Sequence, residues 1–249
     1  MPPSKQVALF VTCLVDQIMP EVGVAATRLL RRAGYDVLFP PEQTCCGQPF
    51  FNSGFHDQAR ALARRTIDTF ADCEAVVLPS GSCTTMVRAE YSHLFEDEPN
   101  YSYRARRLAG KTYELSEFLV QKAGWDPAPH EDAPHVTYHD SCHMCRVLGL
   151  GETPRQLLSG AGCHITEMAE SDRCCGFGGI FSIRMPEVSN AMTAEKVAQA
   201  AETESEILVT ADPGCLMQMR GLLQEAEGPD GRYVLRAEHL ATVLEELTR

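Results

Sequence analysis

"TCCGQPFF", residues 44–51, returns in altered form as "DRCCGFGG", residues 172–179. Each places two adjacent cysteines before a glycine, and the spacings around them repeat. Cys13 stands 32 residues before Cys45, and Cys142 stands 32 residues before Cys174. A later cysteine closes each set: Cys83 lies 37 residues past Cys46, and Cys215 lies 40 past Cys175. The sets are offset by 129 residues, with a three-residue insertion before the closing member. Self-similarity at a fixed offset marks an internal repeat. It places one domain at 1–125 and a second at 133–249, joined through "GWDPAPHEDAP" (124–134), whose proline and charge suit a linker.

Hydrophobic patterning supports the repeat. Short apolar runs at 6–12, 35–39 and 74–79 read as strands, and so do 135–139, 163–167 and 206–211. Helical patterns fit 21–34, closed by Gly34, and 56–72 in the first half. In the second they fit 152–160, 186–202, 214–226 and 238–248. Alternating strands and helices imply an α/β fold: two pseudo-symmetric, Rossmann-like or flavodoxin-like halves with parallel sheets and one Cys-Cys-Gly motif each. Cys13 and Cys142 then follow the first strand of each half. Cys45, Cys46, Cys174 and Cys175 follow the second, and Cys83 and Cys215 follow the third, where a helix begins. The carboxyl ends of parallel strands share one edge, so four thiols per half converge there.

Composition narrows the function. A net charge of −12 argues against a nucleic-acid or anionic-membrane surface. The one dense basic run, "RARR" at 104–107, reads as a solvated face. No stretch approaches the roughly 20 apolar residues of a membrane span, and the first residues lack a secretory cleavage pattern. The chain is expected to be soluble and cytoplasmic. Eleven cysteines in such a compartment point to metal binding or redox chemistry over disulfides.

Four thiolates are soft ligands, suited to iron–sulfur clusters or zinc. Glycine after each pair lets the backbone adopt φ > 0 or approach a bulky centre. Helix N-termini at Cys83 and Cys215 would direct N–H groups at the thiolates. Arg88 and Arg220, each five residues past the closing cysteine, either offset cluster charge or lie exposed on their helices. Buried structural cysteines are the plain alternative, which the repeated spacing of eight disfavours. Cys73 and Cys163 sit at strand starts, away from that edge, and read as core. "CHMC" (142–145) brings Cys145 beside the second set, as an added ligand or as half of a redox dithiol. His139 and His143 flank the same turn as loop histidines, donors that tune the centre, or proton carriers. Asp140 caps the turn. Asn52 either faces the first centre or serves a turn. "CGFGG" does not continue into a nucleotide-binding motif, and no hydrolytic triad is present.

These residues also carry a family resemblance. "CLVDQIMP" (13–20), "CCGQPFFNSG" (45–54), "PSGSCTTMVRAEY" (79–91), "YHDSCH" (138–143), "CCGFGG" (174–179) and "DPGCLMQM" (212–219) resemble the lactate utilization protein A family. That family lies within the cysteine-rich CCG-domain proteins, beside the glycolate oxidase iron–sulfur subunit and the CCG-bearing subunit of heterodisulfide reductases. The resemblance implies an iron–sulfur oxidoreductase component in oxidation of L-lactate to pyruvate. It also implies one or two [4Fe–4S] clusters on Cys13, Cys45, Cys46, Cys83, Cys142, Cys174, Cys175 and Cys215. A ferredoxin-like iron–sulfur partner and a third subunit would share the system, with a small 2-hydroxy acid as substrate. The alternatives are a glycolate-oxidase or heterodisulfide-reductase-like subunit, or a zinc-stabilised scaffold without redox chemistry. Heterodisulfide-reductase-type motifs end in C-x-x-C, whereas Met86 and Gln218 stand at those positions here. An ordinary four-thiolate centre therefore suits each half better. Cys145, whose counterpart is Asp16, leaves room for the two sites to differ, with zinc possible in one.

Overall fold

The computed structural model describes residues 5–226 and 235–249. The chain divides into two compact units that meet between Trp125 and Asp126. In the first, β1 (Lys5–Leu9) leads to α1 (Cys13–Ile18) and α2 (Pro20–Arg32). Proline opens α2, where the N–H it lacks would have no partner, and Glu21 in the first turn with Arg31 and Arg32 in the last complement the helix dipole. Its Val22, Ala25, Ala26, Leu29 and Leu30 are buried. Strand β2 (Tyr35–Leu38), α3 (Gln48–Asn52), α4 (His56–Thr69) and β3 (Val76–Leu78) follow. Next come α5 (Gly81–Thr85), a π-helical turn at Met86–Glu90, and α6 (Tyr91–Leu94). Helix α7 (Pro99–Ala109), β4 (Thr112–Glu114), α8 (Leu115–Glu117) and a second π-helical turn at Phe118–Lys122 complete the unit.

The second unit repeats the plan: β5 (His135–His139), a π-helical turn at His143–Val147, α9 (Glu152–Gly160) and β6 (His164–Ile165). Then follow α10 (Ile180–Arg184), α11 (Pro186–Ala201), β7 (Ile207–Thr210), α12 (Pro213–Ala226), β8 (Arg236–His239) and α13 (Leu240–Leu247). All strand pairs are parallel, in the orders β2-β1-β3-β4 and β6-β5-β7-β8. This is the start of the flavodoxin-like order, whose switch point falls between its first and third strands. The central strands β3 and β7 are buried throughout, as parallel strands covered on both faces must be.

Three expectations change. A fourth strand closes each sheet, and β8 takes residues 238 and 239 from the helix expected over 238–248, which starts at Leu240. "TYE" and "RAEH" are too short and polar to show a strand period. The first strand ends at Leu9, well before residue 12, where Thr12 takes φ +71° and turns the chain into α1. Helix α7 carries "RARR": Arg104 pairs with Asp68, so that run is partly tied down.

Candidate metal centres

The carboxyl edge of the first sheet gathers Cys13, Cys45, Cys46 and Cys83. Cys13 opens α1, Cys45 and Cys46 lie in the loop before α3, and Cys83 is the third residue of α5, inside the helix, whereas the sequence predicts it just ahead of one. Cys13 donates S–H to Cys45 at 3.5 Å, and Cys46 donates to Cys83 at 3.2 Å. Hydrogen bonds from Cys13 and then Cys46 hold the Cys45 thiol well below its usual range, aided by the Gly47 N–H at 3.4 Å. Burial opposes this. Cys46 is pushed up by donating to Cys45 and Cys83 and by full burial. Ser80 caps α5 by accepting from the Cys83 N–H at 3.2 Å.

The second unit repeats this chain of contacts. The thiols act on one another in the same order, Cys142 on Cys174, Cys174 on Cys175 and Cys175 on Cys215. Cys174 is the depressed thiol, chiefly through Cys142 and Cys175, with the Gly176 N–H at 3.5 Å. Cys215 is the third residue of α12, and Asp212 accepts from the Gly214 N–H at 3.0 Å at that helix start. Gly47 and Gly176 both hold φ near +90°, and both press on the following long helix. Gly47 abuts Ala59 and Leu62, while Gly176 abuts Ser189 and Met192. The repeat offset is therefore 130 along α4 and α11.

What surrounds the two quartets differs. In the first unit the buried Tyr91 hydroxyl donates to the Cys46 carbonyl at 2.8 Å. In the second, Thr193 Oγ1 lies 2.8 Å from the Cys175 carbonyl and accepts from Gln218 at 3.0 Å. Met86 is fully buried in the core and Gln218 also reaches Ser189 at 3.1 Å, so the two positions that a C-x-x-C ending would use are engaged elsewhere. Cys13 and Cys45 line a cavity of about 290 Å³ with Thr12, Asp16, Gln17, Gln43 and Thr44. Gln43 is anchored by the Val11 N–H at 2.8 Å. Thr12 is buried with an unpartnered hydroxyl.

In the second unit, His139 ends β5 and is fully buried, with neither ring nitrogen in a hydrogen bond of full geometry. Burial, then Lys196, lowers its pKa to about 4 and keeps it neutral. His139, Cys175 and Cys215 place their donor atoms within 4.8 Å of one another, a group able to hold a metal ion. Lys196, on α11, is also fully buried; its Nζ donates to the Glu170 carbonyl and lies 3.6 Å from Met168 Sδ. Burial lowers it to about 8. Lys196 escapes a reading of the sequence, because a lysine in "AEKVAQA" has the pattern of a solvated helix face.

The remaining candidates take other places. Cys145 lies among Asp140, Asp172, Arg155 and Arg146, the charged groups acting most strongly on it. Asp140 does more than cap a turn: it is buried and pairs with Arg155 at 2.8 and 2.9 Å. His143 Nδ1 lies 3.8 Å from Cys142 Sγ. Arg88 and Arg220 pair with Glu117 at 2.8 Å and Glu238 at 3.0 Å. Asn52 is the last residue of α3. Cys163 is buried, while Cys73 is partly exposed against the core.

Similarity to known proteins agrees with this arrangement. The cysteine-rich domain family named CCG matches residues 7–88 and 136–220, one copy per unit. Lactate utilization protein A of Bacillus subtilis is 47% identical over 240 residues, covering 96% of this chain and 98% of that protein. The protein of the same name from an Exiguobacterium strain is 44% identical over 243 residues, covering 96% and 97%. A crystal structure of a hypothetical protein from Helicobacter pylori superposes with a TM-score of 0.72 at 11% identity, over 100% of this chain and 49% of that one, a likeness of fold alone. No helix among the described residues is long and apolar enough to cross a membrane.

Proposed function

Because this chain belongs to the lactate utilization protein A family, we propose that it is the electron-carrying iron–sulfur component of a system that oxidises L-lactate to pyruvate. The observation that supports this most is the gathering of four thiols at one sheet edge in each half. The donor sets fit such a group. Soft thiolates are its usual ligands. Each quartet already holds one depressed thiol, supported by the Gly47 or Gly176 N–H, and hydrogen bonds to sulfur favour the anionic ligand. A bound iron–sulfur cluster supplies one-electron transfer. Oxidation of lactate to pyruvate releases two electrons and two protons, so two one-electron sites on one chain suffice for a turnover.

The cavity beside the first quartet supports a carrier over a self-sufficient dehydrogenase. Its lining includes Asp16 and no lysine or arginine, and a substrate carboxylate would meet a like charge there. Binding of the 2-hydroxy acid then falls to partner subunits, one of them ferredoxin-like.

A second reading, a single zinc ion per quartet, draws on the geometry of the first quartet. Its sulfur pairs Cys13–Cys45 and Cys46–Cys83 lie 3.5 and 3.2 Å apart, close to the ~3.8 Å that tetrahedral Zn–S bonds of about 2.3 Å impose. Metal analysis separates the two. Anaerobically prepared and reconstituted chain is expected to hold iron and acid-labile sulfide, about four of each per occupied quartet, and to absorb near 400 nm. Zinc alone, with no iron retained after reconstitution, would overturn the electron-transfer reading. Reduction of the centres by lactate is expected only when the partner subunits are added.

A further inference from the structure

We propose that His139 is a nitrogen ligand of the second metal centre, which therefore has four cysteines and one histidine where the first has four cysteines. The inference rests on the reading that each quartet holds a metal centre, and concerns what completes one of them.

His139 is fully buried at the end of β5; neither ring nitrogen has a partner of full hydrogen-bond geometry, and the Ser171 carbonyl, which acts weakly on the ring, can occupy one nitrogen and leaves the other for a metal. An unmade buried polar group costs about 1–3 kcal/mol, and such groups in native proteins call for an explanation such as a bound ion. The donors beside it are Cys175 and Cys215, all three within 4.8 Å of one another. Imidazole is a common ligand for both zinc and iron. Two other candidates for a fifth donor are engaged elsewhere, and His143, with Nδ1 3.8 Å from Cys142 Sγ, is the one the test must separate from His139. Gln218 is bonded to Ser189 and Thr193, and Cys145 is set among Asp140, Asp172 and two arginines.

Among the described residues, the first unit offers no equivalent. One repeat back from His139 stands Phe10, buried with its ring centroid 5.1 Å from that of Phe70. A benzene ring has no lone pair to give, so the asymmetry lies in the side chains and not in the backbone plan.

The test isolates the second centre in the full chain. Cys13→Ser/Cys45→Ser removes two half-buried thiols of the first quartet. This variant is reconstituted anaerobically with iron and sulfide, reduced, and examined by pulsed EPR with 14N- and 15N-histidine. A strongly coupled histidine nitrogen is expected. It should vanish in His139→Phe, which copies the first site, and in His139→Gln, and persist in His143→Ala. The chain without the double substitution should show the same nitrogen and lose it with His139→Phe, so a poorly folding double variant does not shield the proposal. Iron retained by the second quartet with no strongly coupled nitrogen would overturn it. No iron retained there would instead overturn the cluster reading of this half, and the ligand assignment with it.

Discussion

Phe10 and His139 occupy one place in the repeat, Thr66 and Lys196 another, and Ser80 and Asp212 a third. Around the first quartet these positions are an aromatic ring, a hydroxyl bonded to its own helix at 3.1 Å and a neutral helix cap. Around the second they are a buried imidazole, a buried ammonium and a carboxylate. Both halves keep the sheet order, the thiol quartet and the left-handed glycine. A duplicated scaffold has thus preserved the thiols and changed the charges facing them. Buried charge near a metal centre would shift its potential far more than charge in water, because the interior screens weakly. The two quartets have different surroundings, and each of the following measurements tests how far that difference runs.

The largest effect is loss of metal. Cys45→Ala should empty the first centre and Cys174→Ala the second, each lowering bound iron by about half. Metal analysis of the two purified variants checks this, and a single substitution that empties both halves would break the comparison.

Backbone strain comes next. An added Cβ at Gly176 would sit 2.5 Å from the Ser189 carbonyl, whereas at Gly47 the nearest atom is the Ala59 carbonyl at 3.2 Å. Both positions carry the left-handed penalty of about 1–2 kcal/mol; overpacking adds about 1–3 kcal/mol at Gly176. Urea unfolding of the two alanine variants should therefore rank Gly176→Ala as the less stable, by roughly 2 kcal/mol.

A pH effect carried by a buried carboxyl distinguishes the first half, beside the lowered His139 and Lys196 of the second. The last residue of its fourth strand, Glu114, is fully buried and caps α8, while His239 fills the same role for α13. Burial raises Glu114 to about 7 from 4.5. The folded state therefore holds a proton that the unfolded state releases. That stabilisation is complete below pH 4.5 and fades as pH rises through 7, a loss of about 3 kcal/mol. Glu114→Gln should flatten the dependence and unfold at higher urea than the native chain at pH 8, but not at pH 4.5.

The smallest effects concern the carbonyls behind the thiols. Tyr91→Phe leaves the Cys46 carbonyl without its 2.8 Å donor, and Thr193→Val does the same for Cys175. Each should lower stability by about 1–2 kcal/mol. Thr193→Val should be the worse of the two by thermal unfolding, since it also removes one of the Gln218 amide's two acceptors and leaves only Ser189 Oγ.

Much of the fold was legible because periodicity is a local property. The second half's first strand at 135–139 and its helix at 152–160 coincide with β5 and α9. The fourth strands escaped notice because "TYE" and "RAEH" acquire their strand character from pairing with β3 and β7. Cys145 is a different case. Its three-residue spacing from Cys142 suggests a shared site, and what the fold adds is that the π-helical turn at His143–Val147 brings charged groups around it.

Residue spacing alone determined that eight thiols fall in two quartets, since strand alternation dictates which loops meet at a parallel sheet's carboxyl edge. Only the tertiary structure decided what each quartet faces. Lys196 and His139 are distant in sequence from Cys215, and neither carries a local mark of burial. Their environment is set by the packing of α11 against α10 and α12 and by the depth at which β5 ends. Such long-range contacts have no periodic signature, because they depend on which elements are neighbours in space.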